Sequence, residues 1–483
     1  MAGDRMMAMN SLSLSSERSW AETEFGAADL ADPRRTARLV RLAEQRGAQA
    51  HASLAECCGT GAESKAAYRF YENPSVNEEA ILCSHASASR ERAAAHALVL
   101  ALQDTTRLDY THHPATRGLG VLDDLQHHGL FLHSTLLVTP ARVPLGLLGV
   151  QYGIRRAAQL GQAHRRRARP ISDKESYKWL QSLELVAAAQ AQLPQTQLVS
   201  VADREADIYD LFRYAQQVSQ ALLVRAAWNR AVAHPEKYLW ERLETQAVAG
   251  ELRVQVPRQA ERPARLARLQ IRYAPLNILP PRHRRTKAEG LAALPVWAVL
   301  ARETGAPAGS QPIEWLLLST LPITAFDSAC ERVQWYSCRW LIEVYHKVLK
   351  SGCRVEERQF DELGTIKLYL ALDCVVAWRV LYLTMVGREV PDLPCSAIFE
   401  AHEWQALYCF THRVATPPSA PPTLSQAIVW LARLCGFQAR KRDGPPGVIV
   451  LWRGLQRLHD IAMAWQLFST DPDPPTSRVV GKD

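Results

Sequence analysis

ALVLALQDTTRLDY, residues 97–110, is the stretch on which the fold turns. Its apolar run reads as a strand that ends on a carboxylate, Asp104. The stretch TQLVSVADREADIYDLF (196–212) repeats the arrangement, a strand that breaks at Asp203 and runs into a helix. GLFLHSTLLV (129–138) and VPLGLLGVQYG (143–153) are strand-like with turn signals between them, and KESYKWLQSLELVAAAQAQL (174–193) is helical. Together they predict an α/β layer with carboxylates at strand ends, the edge where such folds collect their chemistry.

Working outward, residues 221–320 turn all-β. ALLVRAAW, ELRVQV, RLARLQIRYAPLNIL, PVWAVLARE and EWLLLST are β-rich runs separated by Gly- and Pro-containing loops. An antiparallel insertion within the α/β domain is the economical expectation. From 328 to about 468 the sequence is mainly helical, interrupted by ATPPSAPPT (415–423) and DGPPG (443–447). The expected division is a disordered polar start (1–16), a helical domain (17–90), an α/β domain carrying the insertion (91–385), a second helical domain (386–470) and a loose tail (471–483).

The 483 residues carry 57 Lys and Arg against 49 Asp and Glu, a net charge of +8. The excess is mild but clustered, in His164–Arg169 (HRRRAR), Arg282–Lys287 (RHRRTK) and Arg440–Arg442 (RKR). Such clusters suit a polyanion because each cation that neutralises a phosphate releases condensed counterions; they read equally as solvated loops. In the first helical domain Asp32 is placed as an N-cap with Pro33 at the first helical position. Arg34, Arg35, Arg38 and Arg41 follow as a basic stripe. ESKAAYRFYENPSV (63–76) brings together Lys65, Tyr68, Arg69 and Tyr71, groups that hold phosphates and stack on bases. The ten cysteines show neither CxxC pairing nor a metal spacing and read as reduced thiols. Without a signal-peptide core or an uninterrupted apolar run of about 18 residues, a cytoplasmic protein with no membrane span is expected.

A third acid comes from WYSCRWLIEVYHKVLK (335–350). Tyr336, Arg339, Glu343 and Lys350 stand at offsets of three, seven and fourteen, which at about 100° per residue puts all four on one helical face. Asp104, Asp203 and Glu343 are hard oxygen ligands that can hold two Mg²⁺ ions about 4 Å apart for phosphoryl transfer. Each acid also has a plain reading. An Asp after a strand forms turns and caps helices, Asp203 is followed by Glu205 and Asp207 so that pattern alone does not choose among them, and Glu343 beside Arg339 is an ordinary i,i+4 pair.

The spacing Y-(2)-R-(3)-E-(6)-K formed by Tyr336, Arg339, Glu343 and Lys350 resembles the signature of the insertion-sequence-four family of bacterial DDE transposases, and in detail its members of Tn-five type. Similar segments recur in order from Trp20 to about Trp465: DPRRTARLV, AAYRFYENPSV, QDTT, HSTLLV, KESYKWL, DREADI, EWLLLST, RWLIEVYHK and LARLCGF. The resemblance implies an RNase-H-like catalytic core with an antiparallel β insertion, a transposon-end DNA-binding domain before it and a dimerisation domain after it. It implies Asp104, Asp203 and Glu343 as catalytic metal ligands for two Mg²⁺, with Mn²⁺ as a substitute. Tyr336, Arg339 and Lys350 fall on phosphate-holding positions and Trp315 on the aromatic that stabilises a flipped base; by itself Trp315 reads as a core or strand-edge residue. Arg34, Arg35, Arg38, Lys65, Tyr68 and Arg69 are the remaining candidate DNA contacts. The implied partners are double-stranded transposon-end and target DNA and a second copy of the chain, and the implied setting is the bacterial nucleoid. A stand-alone structure-specific nuclease and a non-catalytic DNA-binding protein remain as alternatives.

Overall fold

A computed structural model describes residues 18–161, 169–256, 264–285, 290–307, 309–440 and 443–469. The expected disordered start, the tail, most of the HRRRAR cluster and parts of the RHRRTK and RKR clusters lie outside these residues. In chain order the principal helices begin with α1 (Trp20–Phe25), α2 (Pro33–Ala48), α3 (Leu54–Cys57), α4 (Gly61–Tyr71) and α5 (Glu78–Ala94). Strands β1 (Leu98–Asp109), β2 (Gly120–Val121), β3 (His128–Val138) and β4 (Pro144–Gly153) follow, then α6 (Tyr177–Gln192), β5 (Gln197–Ala202), α7 (Tyr209–Gln217) and β6 (Ala221–Arg225). The run β7 (Gly250–Val256), β8 (Arg265–Ile278), β9 (Leu294–Thr304) and β10 (Glu314–Ser319) leads into α8 (Phe326–Cys338), α9 (Trp340–Lys347), α10 (Leu363–Glu389), α11 (Ala401–His412), α12 (Leu424–Arg433) and α13 (Val448–Ser469).

The chain forms two compact units. The first comprises 1–76, 348–354 and 372–483, and the second 77–347 and 355–371. These boundaries differ from those read in the sequence. Helix α5 belongs to the second unit because it packs on β4, and His85 accepts the Leu147 N–H at 2.9 Å. The two helical ends of the chain, expected as separate domains, fall in one unit.

The second unit is built on one ten-stranded sheet in the order β2-β3-β1-β5-β6-β10-β9-β8-β7, with β4 paired to β3. β1, β5 and β6 are parallel to one another, whereas β3 is antiparallel to β1 and β4 antiparallel to β3. The antiparallel run is not a separate insertion over 221–320. Its first expected strand, β6, belongs to the parallel set, and β10 pairs with β6, so β7–β10 extend the same sheet. Alternation in β8 buries Ala267, Leu269, Ile271, Ala274, Leu276 and Ile278, and the last three join Leu300 and Leu316 in a core cluster under α6 and α7.

Two expectations about the site elements need correction. Asp104 does not end its strand. β1 runs on to Asp109 because β3 keeps pairing with it, while its parallel pairing with β5 stops at Leu102↔Val201. Nor is 335–350 one helix with a single face. The Arg339 N–H bonds to the Tyr336 carbonyl and the Ile342 N–H to the Arg339 carbonyl, both tight three-residue spans, and Val348–Gly352 is a π-helical turn closed by Cys353 N–H on the Val348 carbonyl at 3.0 Å. Gly352 is required there, since a Cβ would stand 2.9 Å from the Trp452 ring. Lys350 falls in that π-helical turn and belongs to the first unit, whereas Glu343 belongs to the second.

In the first unit α13 packs on α11, α12 and α2. Arg46 of α2 and Asp373 of α10 form a pair with no exposed side-chain surface: Nε and Nη2 of Arg46 bind the carboxylate at 2.9–3.1 Å, and its remaining donors reach the carbonyls of Ala50 and Ala52 at 2.6 Å. Arg379 of the same α10 lies 4.5 Å over the Trp20 ring. Helix α10 is long and apolar enough to cross a membrane by length and composition, but 89% of that stretch is buried within the protein.

Candidate functional site

The parallel pairing of β1 with β5 ends at the Leu102↔Val201 rung. Asp104 sits two residues beyond the last parallel rung, and Asp203 directly follows β5. The Asp203 carboxylate also caps the 3₁₀ turn Arg204–Ala206, accepting the Glu205 N–H at 2.9 Å, so its plain reading as a cap holds alongside its place at the strand end. From the α8–α9 junction Arg339 reaches in. Its Nη1 stands 3.3 Å from Asp104 Oδ2, and its Nη2 pairs with Glu343 Oε1. One guanidinium thus bridges two acids, and its charge also acts on the third, Asp203.

Burial, helped by Asp203 and Glu343 and opposed by Arg339 and the Thr105 N–H, pushes the Asp104 carboxyl up to about 6. Asp203 is also raised, first by burial, against the lowering effects of the Glu205 N–H and Arg339. Burial opposes the charge of Arg339, but Tyr336, Glu343 and Asp104 outweigh it and hold the guanidinium more firmly protonated than usual. The three acids are therefore a largely buried group of negative charges that one cation partly neutralises.

The other acids of the DREAD segment are engaged differently. Glu205 is exposed and binds Lys178 Nζ at 3.3 Å. Asp207 is buried and accepts the Ala227 N–H at 2.8 Å, the Trp228 N–H at 3.2 Å and Arg230 Nε at 2.6 Å. Trp315 and Tyr336 meet edge to face with centroids 5.2 Å apart, and Arg339 lies 5.9 Å from the Tyr336 ring. Tyr336, expected on a phosphate, is only 4% exposed, so its ring builds the floor beneath Trp315 and Arg339.

Several residues around these acids escaped the sequence reading. Asp104 accepts the Thr105 N–H at 2.8 Å, and Thr105 Oγ1 bonds His133 Nδ1 at 2.8 Å, across the β1–β3 register. His133 stands edge-on to Trp179 at 4.6 Å, and burial, with Lys178 and His346 nearby, pushes it down to about 3, so it is neutral. The segments QDTT and HSTLLV already marked both residues, but only pairing shows that they touch. Lys178 also eases the charge on Asp203, and Trp340, next to Arg339, is 41% exposed.

The donor set suits a hard divalent cation: three carboxylates, two of them raised chiefly by burial. In this arrangement, however, no three His, Cys, Asp or Glu side chains among the described residues are grouped closely enough to hold a metal. Arg339 holds Asp104 and Glu343 instead.

The first unit presents a second surface. Lys65, Tyr68 and Arg69 are exposed on one face of α4, at i, i+3 and i+4. Tyr71, expected with them, is buried against Phe70 and cannot stack on a base. On α2, Asp32 caps the helix as the sequence predicts, accepting the Arg34 N–H at 2.9 Å with Pro33 at the first position. The basic stripe is largely engaged: Arg34 pairs with Asp32, Arg35 binds the Leu30 carbonyl at 2.8 Å and Arg41 pairs with Glu63. Arg38 has no ion pair or hydrogen bond among the described residues.

Residues 17–76 match the transposase DNA-binding family model, and residues 375–465 match the transposase Tn5 dimerisation domain. The first match covers α1–α4, with the exposed Lys65, Tyr68 and Arg69; the second covers most of α10 and runs into α13. Together the two matches support a Tn5-like transposase, a DNA-binding protein that forms homodimers.

Proposed function

We propose that the chain is a cut-and-paste DNA transposase of the insertion-sequence-four type, acting by metal-dependent phosphoryl transfer at Asp104, Asp203 and Glu343. The observation that carries this reading is the gathering of Asp104 and Glu343, 239 residues apart in sequence, on the Arg339 guanidinium beside Asp203. The strand order around it favours an RNase-H-like core, since β4-β3-β1-β5-β6 sets two antiparallel strands beside three parallel ones.

In this reading the three carboxylates hold Mg²⁺, or Mn²⁺ in its place, which when bound supplies Lewis-acid activation of a nucleophilic oxygen and stabilisation of the leaving one. Arg339 exchanges its carboxylates for a DNA phosphate, a swap that suits a planar guanidinium with five donors. Thr105 and neutral His133 hold Asp104 in place, and Lys178 offsets charge on the Asp203 side. Lys350 serves as a further phosphate contact, and Trp315, braced by Tyr336, takes a flipped base. Water nicks one strand at the element's end, the freed 3′-OH attacks the opposite strand to form a hairpin, water opens the hairpin, and the 3′-OH joins target DNA. Each step is an in-line displacement at phosphorus, so one site serves all four. Lys65, Tyr68, Arg69 and Arg38 engage the transposon end, and the protein works as a dimer at the nucleoid.

The test is to incubate the protein with DNA carrying its own element's ends and Mg²⁺. Hairpin-ended element and flanking double-strand breaks are expected, with Glu343→Gln inactive. Verified end binding without any cleavage would leave only a non-catalytic DNA-binding protein, and cleavage of unrelated branched DNA alone would point to a structure-specific nuclease.

A further inference from the structure

After β6 the chain makes a short loop, 226–230, at the same end of the parallel strands as Asp203. The Ala202↔Val224 rung sets β6 beside β5, so the loop lies about one strand spacing, roughly 5 Å, over from the Asp203 position. The Ala226 N–H bonds the Leu316 carbonyl at 2.8 Å, which sets the loop against the start of β10 and next to Trp315. At its tip Trp228 is 69% exposed, and its ring touches no aromatic or cationic partner among the described residues.

The loop is nonetheless firmly held. The Asp207 carboxylate, with no exposed surface, accepts the N–H groups of Ala227 and Trp228 and binds Arg230, whose Nη2 also reaches the Asp207 carbonyl. Asn229 donates to both oxygens of Glu241 at 3.1 and 3.0 Å and accepts the Trp240 N–H at 3.0 Å. Every residue from 226 to 230 is tied down through backbone or polar side chain, and the indole, between the exposed Ala227 and Asn229, stands in water. A buried carboxylate that fixes the backbone at an open aromatic ring and the side chain two residues on makes a preorganised stacking platform. Trp315 contrasts with it, since that ring is half-buried and already packed against Tyr336.

We propose that Trp228 is a second base-stacking position, taking an unpaired nucleobase of the DNA next to Asp104 and Asp203, and that Asp207 is its positioning residue. The proposal rests on the transposase reading, and the test separates the two. Full-length protein is titrated with a forked DNA duplex carrying 2-aminopurine at the first unpaired position, with fluorescence quenching and affinity both recorded. Wild type should quench the probe, and Trp228→Phe should retain most of the quenching. Trp228→Ala should lose it and bind about 5- to 100-fold more weakly, with an unchanged melting temperature. Asp207→Asn, which loosens the loop, should reduce the quenching less than Trp228→Ala does. If Trp228→Ala quenches and binds as wild type does, the platform is refuted while the transposase reading stands. If only its self-association in sedimentation changes, Trp228 is a protein contact and the proposal also fails. If wild type binds no DNA, forked or duplex, the transposase reading itself falls.

Discussion

Arg339 Nη1 lies 3.3 Å from Asp104 Oδ2, across 235 residues of chain, and the same guanidinium pairs with Glu343. The contact makes Arg339 the resident counter-charge of the three acids. Replacing it by Gln removes the group that pulls the Asp104 carboxyl down, so that carboxyl should titrate above its present value of about 6. Carbon-13 NMR of labelled Asp side chains would record the rise. At pH 7 the variant should lose about 1–3 kcal/mol of stability, because two carboxylates are left facing each other in a largely buried place.

Asp104 itself should make the protein less stable as pH rises. Its folded value, about 6, is above its ordinary 3.8, so between those values the folded protein holds a proton that the unfolded chain has released. Its contribution therefore falls as pH climbs from about 4 to about 6, and the ionised group then costs on the order of 3 kcal/mol. Asp104→Asn should flatten this part of the urea-denaturation pH profile and be more stable than wild type at pH 7 by about 1–3 kcal/mol, while abolishing DNA cleavage.

Arg46 and Asp373 should behave as one unit. Removing either partner leaves a charge in a fully buried place, so Arg46→Met or Asp373→Leu alone should cost about 3–5 kcal/mol in chemical denaturation. The double variant should recover much of that loss, although the carbonyls of Ala50 and Ala52 would be left without the Arg46 donors.

On α4, Lys65→Ala with Arg69→Ala should weaken binding to duplex DNA in fluorescence anisotropy. If both side chains meet phosphates, the slope of log affinity against log salt should fall by about 1.8, at roughly 0.9 per phosphate. Tyr71→Phe removes only a hydroxyl from a buried ring and should leave DNA affinity unchanged.

The sequence by itself determined the type of each main element and the order of the three acids. The apolar runs around Leu100 and Val199 are strands because residues so apolar must be buried, and Asp32 with Pro33 starts a helix because both satisfy its first turn locally. Exposure of Lys65, Tyr68 and Arg69 also follows from helical spacing. What the sequence could not decide depends on contacts between distant residues. Asp104 lies mid-strand because β3 stays paired when β5 leaves, and β7–β10 extend the central sheet because β10 finds β6. The 335–350 helix is broken by three- and five-residue hydrogen bonds and by Trp452 closing on Gly352, none of which an apolar period encodes. Local spacing already set Arg339 beside Glu343, one turn apart; only the folded sheet could bring Asp104 to the same guanidinium, and only the fold brings the Asp207 carboxylate to the Trp228 N–H below the exposed indole. Propensity and periodicity act over a few residues, whereas burial, charge pairing and strand register are settled by whichever partners the whole chain brings into reach.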